Sequence, residues 1–262
     1  MNPRRIYGVL LQEFFLTIHS LEIFVDVFIF PLISVVIFGL ISLYLVGSNE
    51  TLAAQYILLG MVLWQVIWVI AYSVATGSMW NIWSKNLSNM FVSPMTAREY
   101  MTAHFLSGCL KAVVLLVTAG AISEWIFRFN VLQIGLPVLL LVFVLFAAFA
   151  FAVSIAVLGL IFRYGTRIAA LSWSLITVFQ PLAATFFPLS AMPAPLQILA
   201  RMLPPTYGFE AARYALAHHT VDWNLIAQGA LLDLVYCAVC VALFAYLFRK
   251  SRDSGQFAKN ES

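Results

Sequence analysis

From Leu132 to Phe162 the chain carries no Asp, Glu, Lys, Arg or His. No other stretch narrows the possible folds as much. About 20 apolar residues cross the hydrocarbon core of a bilayer as a helix, so this run spans with residues to spare, either tilted or projecting. Composition agrees: 10% of the 262 residues are charged and 63% hydrophobic, with a mean hydropathy of +0.96. Soluble domains carry about 25% charged residues, so the sequence is that of an integral membrane protein. Its net charge of +3 is too small to suggest a nucleic-acid partner.

Five further apolar runs follow the same logic: about Phe24–Val46, Tyr56–Ser78, Tyr100–Ile122, Ile168–Phe187 and Trp223–Phe248. Pro31 and Gly39 mark kink or close-packing points in the first. The expected fold is an all-α polytopic membrane protein with six transmembrane helices, forming one domain over residues 1–262. Ahead of them, Ile6, Val9, Leu10, Phe14 and Ile18 recur at helical spacing against Arg5, Gln12, Glu13 and His19. That pattern suits an amphipathic helix over residues 1–22 lying in the membrane interface, the alternative being the start of the first span. Gln12 and Glu13 interrupt the run and no small-x-small site follows, so a cleaved signal peptide is not expected.

Six spans put both termini on one side, and charge chooses the side. Arg4, Arg5, Lys85, Arg98, Arg163, Arg167, Arg249, Lys250, Arg252 and Lys259 fall on one set of segments, against Arg128, Arg201 and Arg213 on the other. Lys and Arg collect on cytoplasmic loops, so both termini and the Trp80–Arg98 segment are expected in the cytoplasm of a prokaryotic cell with this protein in its inner membrane. Residues 186–222 are then external.

That external segment begins FFPLSAMPAPLQILARMLPPTYGFEAAR over Phe186–Arg213 and holds five of the ten prolines. Proline blocks helix interiors, so Pro188, Pro193, Pro195, Pro204 and Pro205 cannot share one spanning helix. Leu196, Ile198, Leu199, Met202 and Leu203 nevertheless recur at helical spacing. A short amphipathic helix, a break and a second helix from about Tyr207 to Ala217 describe a re-entrant hairpin, which is tolerated at membrane depth where protein or a wet cavity satisfies its backbone. Glu210 and Arg213, three apart, can pair across one turn as a latch, with substrate binding as the other use.

The stretch resembles the P-x-x-x-x-P-x-x-L-x-x-[LI]-x-x-x-x-P-x-[ST]-x-x-x-[ED]-x-x-[RK] segment that precedes the last helix of ABC-2 type export permeases. Trp80–Tyr100, WNIWSKNLSNMFVSPMTAREY, is similar to a second pattern of that family, G-T-L-E-x-L-L-x-[ST]-P-x-[ST]-x-x-E, the cytoplasmic coupling helix that docks on the ATPase. Leu87, Met90, Phe91, Ser93, Pro94, Thr96 and Glu99 match it. Lys85-Asn86 and Ser88 depart from it, which puts the polar contacts to the ATPase in doubt. Without the resemblance, the segment reads as an ordinary interfacial loop.

The chain has no Gly-Lys dipeptide and therefore no phosphate-binding loop, nor an H-E-x-x-H or G-x-S-x-G motif. Cys237 and Cys240 lie one turn apart in an apolar run without further ligands and read as packing residues. His218, His219 and Asp222 are too few for a metal centre. Lys111 and Asp233 fall about 11 and 10 residues into their spans, near mid-depth at about 1.5 Å per residue. Buried charges usually pair, so the two are candidates for an ion pair within or between subunits, or for separate polar contacts. The resemblance implies a transport subunit that is not itself an enzyme. ATP and Mg would be bound by two copies of a partner ABC ATPase, and the permease would be a homodimer or a dimer with a similar chain. The first, second and fifth spans would line the path, with Trp64, Trp68 and Phe179 as candidate lining residues for an amphipathic, lipid-like or drug-like cargo, and the external hairpins would close it. A polysaccharide or lipid-linked glycan exporter is the nearest alternative. A channel or secondary transporter would need the coupling charges that these spans lack.

Overall fold

The computed structural model describes residues 1–47, 50–84 and 95–253, and this part of the chain is helical throughout, without a strand. Helix α1 (Pro3–His19) opens on an Asn2 cap. It is followed by α2 (Leu21–Gly47), α3 (Thr51–Trp83), α4 (Ala97–Phe127) and α5 (Leu136–Tyr164). Shorter helices α6 (Leu171–Leu182), α7 (Ala194–Arg201) and α8 (Pro204–His218) lead to the final α9 (Trp223–Asp253). Thus α3 runs through Trp83, three residues beyond the expected start of the cytoplasmic segment.

Five of these helices, α2 to α5 and α9, are long and apolar enough to cross a membrane. The segment expected as the fifth of six spans, Ile168–Phe187, contains only the 12-residue α6, about 18 Å of rise. Its ends explain the shortness. Gly165, at φ +79°, stops α5 and starts a turn of tighter helix over Thr166–Ile168. Pro181 removes a backbone donor near the far end, and Ala184 at φ +53° turns the chain out of the helix.

Helix α3 is apolar on every side, so it has to be enclosed. It forms the axis of the bundle: 94% of its most apolar window is buried, covered by α2, α4, α5, α6 and α8. Small residues let backbones approach. A Cβ on Gly108 of α4 would stand 3.0 Å from the Ile70 Cα, and one on Gly159 of α5 would stand 3.2 Å from the Phe244 Cα of α9. Aromatic rings fill the gap between α5 and α8, Phe146 and Phe209 lying 4.6 Å apart.

The two described ends of the chain lie at one end of the bundle. The Asn2 backbone N–H donates to Glu99 at the head of α4, and the Ser251 hydroxyl donates to the Phe162 carbonyl at the tail of α5. Ser154 of α5 meets Ala71 of α3 while Phe209 joins Trp64 to Phe146, so α5 runs parallel to α3 and its tail reaches the same end.

The prolines of the hairpin start helices as well as break them. Pro195 sits in the first turn of α7, and Pro204 and Pro205 open α8, positions where the missing N–H would have had no partner anyway. On α7 the inward residue is Ala200, whereas Leu196, Ile198, Leu199 and Met202 are exposed.

Candidate functional site

A cleft runs between α2, α3 and α6, lined by one stripe from each. On α2 the stripe is Glu22, Asp26, Phe30 and Ser34, at four-residue steps, which keeps all four on one face. On α3 it climbs from Trp80 through Thr76, Tyr72 and Trp68 to Gln65 and Met61. On α6 it is Trp173, Thr177 and Gln180. The cleft widens into two adjoining cavities of ≈ 350 and ≈ 180 Å³, which share Phe30 and Trp68. The larger holds both carboxylates and lies toward the end of the bundle that carries the chain ends.

A local feature of α2 sets Asp26. Residues Val25–Ile29 form a turn of π-helix, closed by the Phe30 N–H on the Val25 carbonyl, and Pro31 follows with no N–H to continue the normal ladder. Such turns are frequent at functional sites. The Tyr72 hydroxyl donates to Asp26 Oδ2 at 2.9 Å. Glu22 is exposed, and its carboxylate makes no hydrogen bond or ion pair among the described residues. Thr76 and Gln65 are 4% and 3% exposed, yet the Thr76 hydroxyl and the Gln65 amide nitrogen have no partner among the described residues. Trp64 and Trp68, expected in the path, line this cleft. Phe179 does not: its ring stands edge-on to Phe149 at 5.5 Å.

The hairpin is held by one arginine. Arg213 is 4% exposed and donates through Nη1 to Glu210 Oε1 at 2.8 Å and through Nη2 to the carbonyls of Ala184 and Thr185. Glu210 Oε1 also accepts the Leu189 N–H at 2.9 Å. Glu210 and Arg213 therefore fasten α8 to the stretch where α6 ends, and Gly60 of α3 admits the Thr185 carbonyl against its Cα. Pro188 caps a short turn over Leu189–Ala191 and Pro193 caps α7.

Within the chain, Lys111 and Asp233 do not pair. The Lys111 ammonium lies 3.0 Å from Glu13 Oε2, and Asp233, 4% exposed on α9, has no partner for either oxygen among the described residues. The correction has a physical cause: α1 does not present its polar side to water. It packs along α4 with Val9, Glu13 and Thr17 buried and Phe14, Phe15 and Ile18 exposed. Gln12 donates to Asn81, whose amide donates to the Tyr100 hydroxyl, and His104 Nδ1 stands 3.4 Å from Glu13 Oε1. Burial pushes the Glu13 carboxyl up, but His104 and Lys111 outweigh it and hold it below its ordinary value.

Of the residues matched to the coupling pattern, Leu87, Met90, Phe91, Ser93 and Pro94 lie outside the described residues. Glu99 lies inside them and is spent within the chain. It completes a capping box with Thr96, accepts the Asn2 N–H at 2.6 Å and meets Arg5 at 3.4 Å, so this buried carboxylate has no free face. Sequence reasoning missed Asp26, Tyr72, Thr76 and Trp173. The four-residue spacing of Glu22, Asp26, Phe30 and Ser34 was the available signal. Among the described residues, no three His, Cys, Asp or Glu side chains gather as a metal centre.

Residues 16–246 match the family model described as ABC-2 family transporter protein. No match is found among the curated proteins.

Proposed function

Since the chain belongs to the ABC-2 transporter family, a family of membrane permeases that work with an ABC ATPase, we propose that it is the export permease of such a transporter and moves an amphipathic, lipid-like or drug-like cargo. The reading pictures a homodimer with two ATPase subunits. Its chain crosses the inner membrane of a prokaryote six times, with Thr166–Phe187 completing the fifth crossing around the short α6. The segment containing Leu87, Met90, Phe91, Ser93 and Pro94 takes up the ATPase motion on the cytoplasmic face, and α7 and α8 close the external face. The observation that carries the reading is the cleft between α2, α3 and α6, with Trp64, Trp68 and Tyr72 along its wall.

On this reading, ATP binding draws the two coupling segments together and re-angles α2 and α3 about the cleft. Arg213 and Glu210 make α8 follow the end of α6, so movement at the cytoplasmic end is felt at the exit. The test is purification of the chain with its ATPase and reconstitution in liposomes. Phe91→Ala with Pro94→Ala is expected to abolish cargo-stimulated ATP hydrolysis while the isolated ATPase keeps its basal rate. Trp68→Ala is expected to raise the cargo concentration needed for half-stimulation. An ATPase that neither co-purifies nor responds to the permease would sink the proposal.

A further inference from the structure

We infer that the cleft takes a lipophilic cation, its charged head against Glu22 and Asp26 and its apolar body along Trp68 and Trp64. This rests on the reading of the cleft as the transport path and adds the class of cargo.

Three features converge. The charges lining the cleft among the described residues are two carboxylates, with no Lys, Arg or His to balance them. Both lie on one face of α2 without an ion-pair partner among the described residues, Asp26 taking only the Tyr72 hydroxyl, and a cation is the group that complements them. Around them stand the rings of Trp68, Tyr72, Trp80 and Trp173; aromatic faces attract cations, the more so when the cation is desolvated, and offer apolar surface to the rest of the molecule. Finally, the Thr76 hydroxyl and the Gln65 amide are buried without a partner, and buried polar groups of that kind are normally satisfied. Thr76 stands at the acidic end and can accept from an ammonium head. Gln65, 11 residues away along α3 and so about 16 Å up the cleft, has an N–H free for an acceptor on the body of the cargo.

The same features argue against an anionic amphiphile. A phosphate or carboxylate head would face two carboxylates and the electron-rich faces of the rings. A neutral amphiphile would gain from the rings and leave the carboxylates unanswered.

The probe is tetraphenylphosphonium, compared with neutral triphenylphosphine oxide and anionic tetraphenylborate. Binding is measured on the full-length permease in nanodiscs of uncharged phosphatidylcholine, with empty nanodiscs subtracted. Expected is saturable binding of the cation, at least about tenfold tighter than that of the neutral compound, as cation–π contacts and one carboxylate together supply. Tetraphenylborate should not compete. The double variant Glu22→Gln, Asp26→Asn should lose the preference for the cation and keep the weak binding of the neutral compound. Equal binding of the cation and the neutral compound by the unaltered protein overturns the inference without needing any variant to fold. So does a double variant, unfolding at the same temperature as the parent, that still prefers the cation. The permease reading is tested separately by co-purification of the ATPase, and its failure would leave the binding result standing.

Discussion

At the scale of single residues, the most consequential contact is between Glu13 and Lys111. Both are buried, and removing one partner of a buried pair leaves a charge with nothing to answer it, at a cost of about 3–5 kcal/mol. Lys111→Met is therefore expected to lower the unfolding midpoint in detergent sharply. Glu13→Leu together with Lys111→Met should recover most of the loss, since an apolar pair of similar volume needs no compensation. If the double variant were no better than the single one, the pair would not be what holds α1 on α4. The same contact fixes the sign of a pH effect. The Glu13 carboxyl is held below its ordinary value of 4.5 in the folded chain, with burial opposing His104 and Lys111. Its contribution is therefore complete above the ordinary carboxylate range and lost only as pH falls through the lowered value. Unfolding midpoints should show a Glu13-dependent fall below about 4. Lys111 was legible in the sequence as a buried charge in need of a partner, but the partner was not. Counting depth along two spans pointed to Asp233, because residue counting cannot show that α1 turns its polar face inward. In lipid an outward Phe14 or Ile18 costs nothing, so the rule that apolar faces point inward loses its force.

At the scale of elements, the hairpin was the most legible part of the fold, and its fastening was half legible. Proline chemistry places the break between α7 and α8 from the sequence alone, but the sequence reading starts the second helix at about Tyr207, whereas α8 begins at Pro204 because Pro204 and Pro205 fit its first turn. The spacing of Glu210 and Arg213 suggests a pair, but nothing in the sequence shows that Arg213 also takes the Ala184 and Thr185 carbonyls, because those lie across a turn set by the left-handed Ala184. The fork is the reason Arg is needed. A Lys at 213 has one nitrogen in place of two parallel donors, so Arg213→Lys should cost about 1.5–3 kcal/mol, the worth of a hydrogen bond to a charged group. It should expose Ala184–Leu189 to protease. Rates of cleavage there that match the parent would show the fork to be dispensable. The helix crossings follow the same physics. A Cβ added at Gly108 would stand 3.0 Å from the Ile70 Cα and 3.1 Å from the Ser73 Cβ, so Gly108→Val forces α3 and α4 apart. It is expected to destabilise by about 1–3 kcal/mol, as overpacking does, whereas Gly120→Val, where nothing stands within 4 Å, should be nearly silent in the same thermal assay.

For the whole molecule, the sequence supports six crossings while the described residues form five helices long enough to make them, and the difference rests on Thr166–Phe187. The short helix α6 nevertheless has Trp173 in the cavity with Trp80 and Trp83, and Gln180 in contact with Met61, nearer the other end of α3. Trp173 and Gln180 are seven residues apart, about 10 Å of helix rise, so α6 alone covers only part of the height of α3. A crossing here needs the turns on either side of α6, which packs on α3 and α5 through Ser172 and Ile176, since a broken helix is tolerated where protein covers its backbone. The two topologies predict opposite positions for everything after Leu182. In a chain whose Cys109, Cys237 and Cys240 are replaced by Ala, single cysteines at Arg4, Leu132, Thr220 and Arg249, all exposed, can be tested on intact cells with a maleimide that does not cross the membrane. Six crossings with cytoplasmic termini predict labelling at 132 and 220, and at 4 and 249 only after the cells are opened. If α6 did not cross, 220 would be protected and 249 labelled from outside. That reversal would move the hairpin to the cytoplasmic face, beside the ATPase, and leave the cleft without an external lid.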